Sequence, residues 1–357
     1  MAQQSSTVES AAAVESAAAG RTSVAIVGAT GVVGTELLSL LEEERVVVDE
    51  LRLFGSASSA GEVYRVRGEE IEIEEFQPEL LAGIDLVVMA TPAGVARELM
   101  PAIAEKKGCI VDLTSAYRLD EGAELIAPVI GIGGEYRPAA HFSVASASAV
   151  QIAAVVRIAS RQAKVIEVVA TTLQSVSDAG RDGLDELWGQ SIAIFNQRAN
   201  EGEVFGEQIA FNCIPLIGTV HADGATSEEL GIAGEVRRLT GDADILVHAT
   251  AIRVPVFHGS GVSASVRCAK AVSAEDVCVA FQEDPAMTSY EQGEFPMHLS
   301  VVGQEGVHVG RVRCLEGAKE WLSVWTATDN VRGVGARGAL VVIQDYLRIK
   351  KGRVMPQ

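Results

Sequence analysis

The apolar run at residues 23–27, Ser-Val-Ala-Ile-Val, leads straight into Gly28-Ala29-Thr30-Gly31-Val32-Val33-Gly34, and residues 35–44 then carry apolar positions at helical spacing. That order reads as strand, glycine turn and helix. Further apolar strands are expected at 50–54, 85–90 and 109–113, with helical stretches such as 94–106 separating the later ones. Strands alternating with helices specify an α/β architecture built on a doubly wound parallel sheet. Beyond residue 145 the pattern changes. A helix is expected over 147–162, followed by long strand-like runs at 165–172, 244–256 and 262–266. Their alternation and length suit a second, α+β unit with a mostly antiparallel sheet covered on one face. Residues 336–350 read as a closing helix, and there is no internal repeat.

The three glycines at 28, 31 and 34 let the backbone turn tightly and approach a pyrophosphate, whose charge is met by N–H groups at the following helix N-terminus. The strand before them and the helix after them supply the context that a dinucleotide fingerprint needs. An acidic residue that binds a ribose hydroxyl is expected about twenty residues further on. Here the second strand ends in Leu53-Phe54-Gly55-Ser56-Ala57-Ser58-Ser59-Ala60-Gly61, with hydroxyls in place of a carboxylate. A 2′-phosphate is repelled less there, so NADP is the expected cofactor. The division that follows is a tail over 1–20, a dinucleotide-binding Rossmann-like domain over 21–144, a second domain over 145–330 and a C-terminal helix over 331–357 returning to the first.

The chain has 357 residues, 48% of them hydrophobic, and its 29 Lys and Arg against 48 Asp and Glu give a net charge of −19. That balance disfavours a nucleic-acid partner, because affinity for phosphates comes largely from cationic side chains displacing counterions. The five cysteines, Cys109, Cys213, Cys268, Cys278 and Cys314, are scattered without Cys-x-x-Cys spacing, which suggests neither a disulfide framework nor a metal site. Cys109 and Cys213 read as small core residues. No stretch holds about 18 consecutive apolar residues, and residues 1–20 contain no Lys or Arg to start a signal peptide. A cytoplasmic protein with no membrane partner is the expectation.

Several ordered segments together resemble one family, the aspartate-semialdehyde dehydrogenases. Besides GATGVVG they are GSASSAG, VDLTSAYRLD, TTLQSVSDAGRDGLDEL, FGEQIAFNCIP, IRVPVFHG, VHVGRVR and TDNVRG, spread over residues 23–347. The related acetylglutamyl phosphate reductases share the architecture, but QSVSDAG and RVPVFHG are more like the semialdehyde branch. The resemblance implies reductive dephosphorylation of aspartyl phosphate with NADPH through a cysteine thioester, in a homodimer paired through the second domain. It implies a cofactor site in which the turn residues Gly28, Thr30, Gly31, Val32, Val33 and Gly34 take part. Ser56, Ser59, Thr91 and Asn330 complete that site, while Arg118, Arg253 and Glu235 bind substrate and Gln174 is the active-site glutamine.

Two reactive positions depart from the family. Its nucleophilic cysteine lies in a segment reading roughly Asn-Cys-Ser/Thr-x-x-Gln; this chain has Ser146-Ala147-Ser148-Ala149-Val150-Gln151, which puts Ala147 at that position. The family's basic histidine follows its arginine by seven residues, and the seventh residue after Arg253 is Ser260. Gly231 stands in place of a substrate-binding lysine, Pro92-Ala93 in place of paired glycines, and Ser58 in place of an arginine. A thioester needs a thiolate activated by a neighbouring base, so the family route is closed to an alanine. The expected function is therefore a catalytically silent relative, a dimer that holds NADP, with weak or lost binding, or an anionic small molecule, or that pairs with an active relative. An inactive member of an NADP-dependent aldehyde oxidoreductase family is the corresponding enzyme class. Two alternatives stay open: an active NAD(P)-dependent oxidoreductase of amino-acid biosynthesis with a substitute or non-covalent mechanism, and a structural dimerisation module. Ser148 with His258 is the candidate substitute pair, provided the strand after Arg253 persists so that His258 faces the same side as Ser260.

Overall fold

A computed structural model describes residues 21–106, 108–198 and 202–352; the expected tail over 1–20 lies outside them. The first sheet holds β1 (Ser23–Val27), β2 (Glu50–Gly55), β3 (Val63–Val66), β4 (Glu69–Glu75), β5 (Leu86–Met89), β6 (Cys109–Asp112), β7 (Glu124–Ile126) and β8 (His141–Val144). Their order is β3-β4-β2-β1-β5-β6-β8-β7, and every neighbouring pair is parallel except the β3–β4 hairpin. β1 is buried along its whole length, as a central parallel strand with both faces covered must be. Val24 and Ile26 pack under helix α1 (Val32–Glu43), and Ala25 and Val27 pack under α2 (Ala93–Ala104). The glycine turn after β1, Gly55 at the end of β2 and Ala90 after β5 therefore gather at the carboxyl edge of the sheet, where ligands of doubly wound folds bind.

The second unit carries helix α3 (Ala147–Ala159), β9 (Val165–Gln174), α4 (Gly180–Phe195), α5 (Ser227–Thr240), β10 (Leu246–Arg253), β11 (Ser260–Cys268) and α6 (Ala274–Gln282). It ends with β12 (Met287–Ser289), β13 (Val307–Leu315) and β14 (Ala318–Thr328). The sheet order is β10-β9-β11-β14-β13-β12; the three central pairings are antiparallel and the two outer ones parallel. Val165, Val168 and Ala170 of β9 face the core with α3, α5 and α6, while Val169 points away and is exposed. Helix α3 is buried except at Ala147 and Arg157, so it is apolar all round rather than along a stripe. Its first turn emerges at the carboxyl edge of the first sheet. Helix α5 starts with a capping box, in which Thr226 accepts from the Glu229 N–H and Glu229 accepts from the Thr226 N–H. No helix among the described residues is long and apolar enough to cross a membrane.

The strand expected over 244–256 is shorter than its apolar pattern. β10 stops at Arg253, the chain loops through Pro255 to Gly259, whose φ is +90°, and β11 begins at Ser260. Proline lacks the ladder N–H and glycine supplies the left-handed turn, so the segment cannot run on as one strand. His258 thus sits in a loop and not on a strand with Ser260.

The last helix, α7 (Arg337–Gly352), packs against the first sheet beside α1. The buried Tyr346 hydroxyl donates to Asp85 Oδ2 at 2.7 Å and accepts the Ser23 N–H at 2.9 Å. Tyr346→Phe removes both partners and strands a buried N–H at the start of β1, which costs about 1–3 kcal/mol. Urea denaturation should show this loss as a lower midpoint with an unchanged slope; an unchanged midpoint would mean that the hydroxyl is not what anchors α7.

Candidate active site

A cleft of about 600 Å³ opens between the carboxyl edge of the first sheet and the first turn of α3. On one side stand Gly31, Val32, Val33, Thr91 and the Pro92-Ala93 start of α2. Gly28 and Ala29 donate their N–H groups to Phe54 O at 2.9 and 3.0 Å, which folds the turn tightly across β2. Gly28 has φ of +89°, and a Cβ there would sit 2.5 Å from Ala90 O; a Cβ on Gly34 would sit 2.3 Å from Gly28 O. Helix α1 begins on Gly31 without a side-chain cap, leaving first-turn N–H groups for an anion.

The outer residues of the expected cofactor site are distributed around this turn. Thr30 donates its hydroxyl to Ser59 Oγ at 3.4 Å, and Ser56 lies on the exposed turn after β2, within hydrogen-bond distance of Ser58. Thr91 Oγ1 is buried and has no partner among the described residues. A backbone cradle closed to any side chain, an uncapped helix start and an orphaned hydroxyl together fit a bound dinucleotide. Arg181 reaches across from α4 to donate to Thr30 O at 3.1 Å, joining the two units over the turn.

On the other side the cleft is lined by Arg118, Ser146, Ala147, Ser148, Gln174, Asp178, Glu228 and Arg253. Arg118 Nε donates to Val144 O at 3.0 Å, and its guanidinium lies 3.7 Å from Glu235 Oε1. Glu235 does not line the cleft. It is buried and accepts the Ser146 N–H at 2.7 Å; burial pushes its carboxyl up from its ordinary value of 4.5, against the pull of Arg118. Gln174 Nε2 lies within 3.3 Å of Ser148 Oγ and 2.9 Å of Glu228 Oε1. Arg253 donates to Ser175 O at 2.6 Å and to Asp178 Oδ2 at 3.1 Å. Asn330 lines the cleft but is engaged by the protein, donating to Ser177 Oγ and Asp178 Oδ1 and accepting the Gly259 N–H.

Ala147 forms the first turn of α3 at the cleft wall. Ser260 lies behind it, buried, and Gln151 Nε2 bridges the two by contacting Ala147 O at 3.1 Å and Ser260 Oγ at 3.3 Å. Among the described residues no cysteine and no histidine lines the cleft. His258 is outside it, and Ser148 Oγ meets an amide rather than an imidazole, so the geometry does not assemble a Ser148–His258 pair. Gly231, on α5, also lies outside the cleft lining. Cys109 is buried in β6 with its thiol pushed up to about 12 by burial. Cys213 is not the core residue expected: it is exposed, on a loop where its N–H bonds the Asn212 side chain. Asp178, Arg181 and Glu228 were not singled out by sequence reasoning, although Asp178 and Arg181 sit inside SDAGRDG.

Two family models match the chain: "Semialdehyde dehydrogenase, NAD binding domain" over residues 23–134 and "Semialdehyde dehydrogenase, dimerisation domain" over 158–333. Aspartate-semialdehyde dehydrogenase 2 of Vibrio cholerae is 30% identical over 91% of this chain and 98% of its own length. Aspartate-semialdehyde dehydrogenase of Aquifex aeolicus is 31% identical over 93% and 99%. Among solved structures, aspartate semialdehyde dehydrogenase II of Vibrio cholerae complexed with ASA superposes with a TM-score of 0.85 at 29% identity, covering 92% of this chain and 98% of that one. A probable aspartate-semialdehyde dehydrogenase from Pseudomonas aeruginosa gives 0.83 at 27%, covering 91% and 98%.

These matches correct two expectations. The reading as a catalytically silent dimer does not stand: relatives aligned along nearly their whole length carry the names of dehydrogenases, and one was solved with ASA bound, which favours an active oxidoreductase. The assignment to an inactive, NADP-dependent aldehyde oxidoreductase family is also replaced, since both models are of semialdehyde dehydrogenases. The first unit is an NAD(P)-binding domain and the second a dimerisation domain.

Gly34→Ala should force Gly28 O away and destabilise the fold by roughly 1–3 kcal/mol, with loss of saturable NADPH binding in a fluorescence titration. A second outcome concerns Glu235. Its folded value lies above its unfolded one, so folding takes up a proton between about 4.5 and that raised value, and stability falls as pH rises through the window. Glu235→Gln keeps an acceptor for Ser146 and should flatten that slope in denaturation curves taken across it.

Proposed function

Because the chain belongs to the aspartate-semialdehyde dehydrogenase family, we propose that it is an active NAD(P)-dependent oxidoreductase that moves a hydride to or from a small semialdehyde-type substrate without a cysteine thioester. The observation that carries the non-covalent route is a cleft lined by neither thiol nor imidazole among the described residues. A bound nicotinamide supplies the hydride. The chain supplies the rest through the first turn of α3. Ser146 caps that helix by accepting from the Ala149 N–H, which leaves the N–H groups of Ala147 and Ser148 at the cleft wall to polarise a carbonyl oxygen. The Ser148 oxygen is engaged by Gln174, so its O–H is available to the same oxygen. With a nicotinamide bound there, hydride transfer to the carbonyl carbon would move the C=O π pair to oxygen, where the Ala147 and Ser148 N–H groups would meet the charge and a proton from water would complete the alcohol. No acyl-enzyme forms, so no step hands an acyl group to phosphate.

Arg118 is the substrate-anchoring cation in this reading, held in place by Val144 O and Glu235. The hydroxyls of Ser56 and Ser59 at the end of β2 support NADP over NAD, because no carboxylate stands there to repel a 2′-phosphate. The uncovered face of the second sheet, with Val169 and Leu246 exposed on adjacent strands, supports a homodimer paired through that face.

Purified protein mixed with NADPH and aspartate semialdehyde should oxidise the cofactor, and alkylating its thiols beforehand should leave the rate unchanged. A rate abolished by alkylation would mean that a cysteine takes part. Arg118→Ala should raise KM by about tenfold or more, with NADPH affinity preserved. Val169→Glu should convert the dimer to monomer in analytical ultracentrifugation.

A further inference from the structure

The Arg253 guanidinium is the most buried cation on the cleft wall, with its side chain 8% exposed, and it is already ion-paired. Asp178 lies 3.1 Å away, its own side chain 31% exposed, so one edge of the carboxylate still faces the cleft. The carboxylate is held from both sides. Its Oδ2 accepts from Arg253, and its Oδ1 accepts from Asn330 Nδ2 at 2.7 Å. Asn330 is fixed in turn by Ser177 and by the Gly259 N–H, and the Asp178 backbone N–H bonds Ser175 O. Asp178 is therefore not a mobile counter-ion that an incoming anion can push aside.

We propose that Asp178 is a specificity residue that makes the Arg253 subsite neutral and closes it to doubly charged phosphoryl groups, leaving it to substrate groups that carry at most a single negative charge. Arg253 uses NH1 for Ser175 and Asp178 and lies over the Phe205 ring at 5.9 Å, while Nε and NH2 make no hydrogen bond among the described residues and remain able to hydrogen-bond a substrate oxygen. A phosphoryl dianion placed on them would lie within a few ångströms of the Asp178 carboxylate, and like charges so placed oppose each other strongly. Asp182 and Glu228 add further carboxylates to the same wall. This inference deepens the proposed function, and it rests on that reading: a route without acyl transfer to phosphate has no use for a phosphate subsite.

Inorganic phosphate is the probe, titrated into the intact protein by calorimetry, a readout that needs no turnover. Asp178→Asn keeps an acceptor for Asn330 and removes the charge together with the oxygen that accepts from Arg253; phosphate affinity should rise at least about tenfold. Adding Arg253→Gln to that variant should abolish the gain. An affinity unchanged in Asp178→Asn, or a gain that survives Arg253→Gln, would overturn the proposal. Should Asp178→Asn fail to fold, the wild type still decides: saturable phosphate binding that is lost on Arg253→Gln alone would sink it, and no Arg253-dependent binding would uphold it. Because none of these measurements involves NADPH oxidation, absence of turnover would count against the proposed reaction and leave the charge selectivity of Arg253 to be judged separately.

Discussion

The buried carboxylate of Glu235 ties together the parts on which the cleft depends. It projects from α5, accepts the N–H of Ser146 at the start of α3, and faces the guanidinium of Arg118, in the loop between β6 and β7. A carboxylate this deeply buried is costly unless paired and hydrogen-bonded, and burial shifts it toward the neutral form. Its two partners come from the loop after β6 and from the start of α3, so losing either leaves a charge or a donor stranded. That mutual dependence fixes where the first turn of α3 meets the carboxyl edge of the dinucleotide-binding sheet. Proximity of cofactor and substrate is thereby set by a structural ion pair behind the cleft wall.

Cation pairing also shapes the chemistry of the cleft. Arg118 is balanced by Glu235 and Arg253 by Asp178, while Arg181 is spent on the carbonyl of Thr30. A cleft whose arginines are each engaged from within offers geometry and hydrogen-bond donors more than free positive charge. That suits recognition of a carbonyl compound by orientation, with the polarising work left to backbone N–H groups whose dipoles are preorganised. These pairs, with the bonds to Val144 O and Ser175 O, hold both arginines in place, ready to bind without further ordering.

Much of the first unit was legible because its signals are local. The buried run of β1 and the glycines at 28, 31 and 34 each have one physical reason to be there, and the structure meets that reason at Ala90 O and Phe54 O. The second unit was legible where burial repeats every two residues, as along β9. It failed where a backbone break overrode an apolar pattern: residues 244–256 look continuous, but β10 ends at Arg253 and Pro255 begins the loop that Gly259 turns into β11. Asp178 was invisible for a different reason. Its importance comes from Arg253, 75 residues away, and no spacing rule connects them. Cys213 misled because a free cysteine is usually buried, whereas this one rides a loop whose Ile209, Ala210 and Ile214 neighbours fill the core in its stead.

The two positions that the family resemblance assigns to nucleophile and base, Ala147 and Ser260, are also joined by a packing argument. Gln151 spans them, and its carbonyl oxygen accepts from Thr326 of β14 at 2.9 Å. Gln151, Ser260 and Thr326 are all buried, so the amide meets its buried polar neighbours and pins the first turn of α3 to the two strands beneath it. Replacing Ser260 by a side chain without an acceptor would leave the Gln151 amide short of one buried partner. Ser260 therefore serves as part of the floor under α3. The N–H groups of Ala147 and Ser148 keep their aim because Gln151 holds the first turn of α3 to Ser260 and Thr326 beneath it.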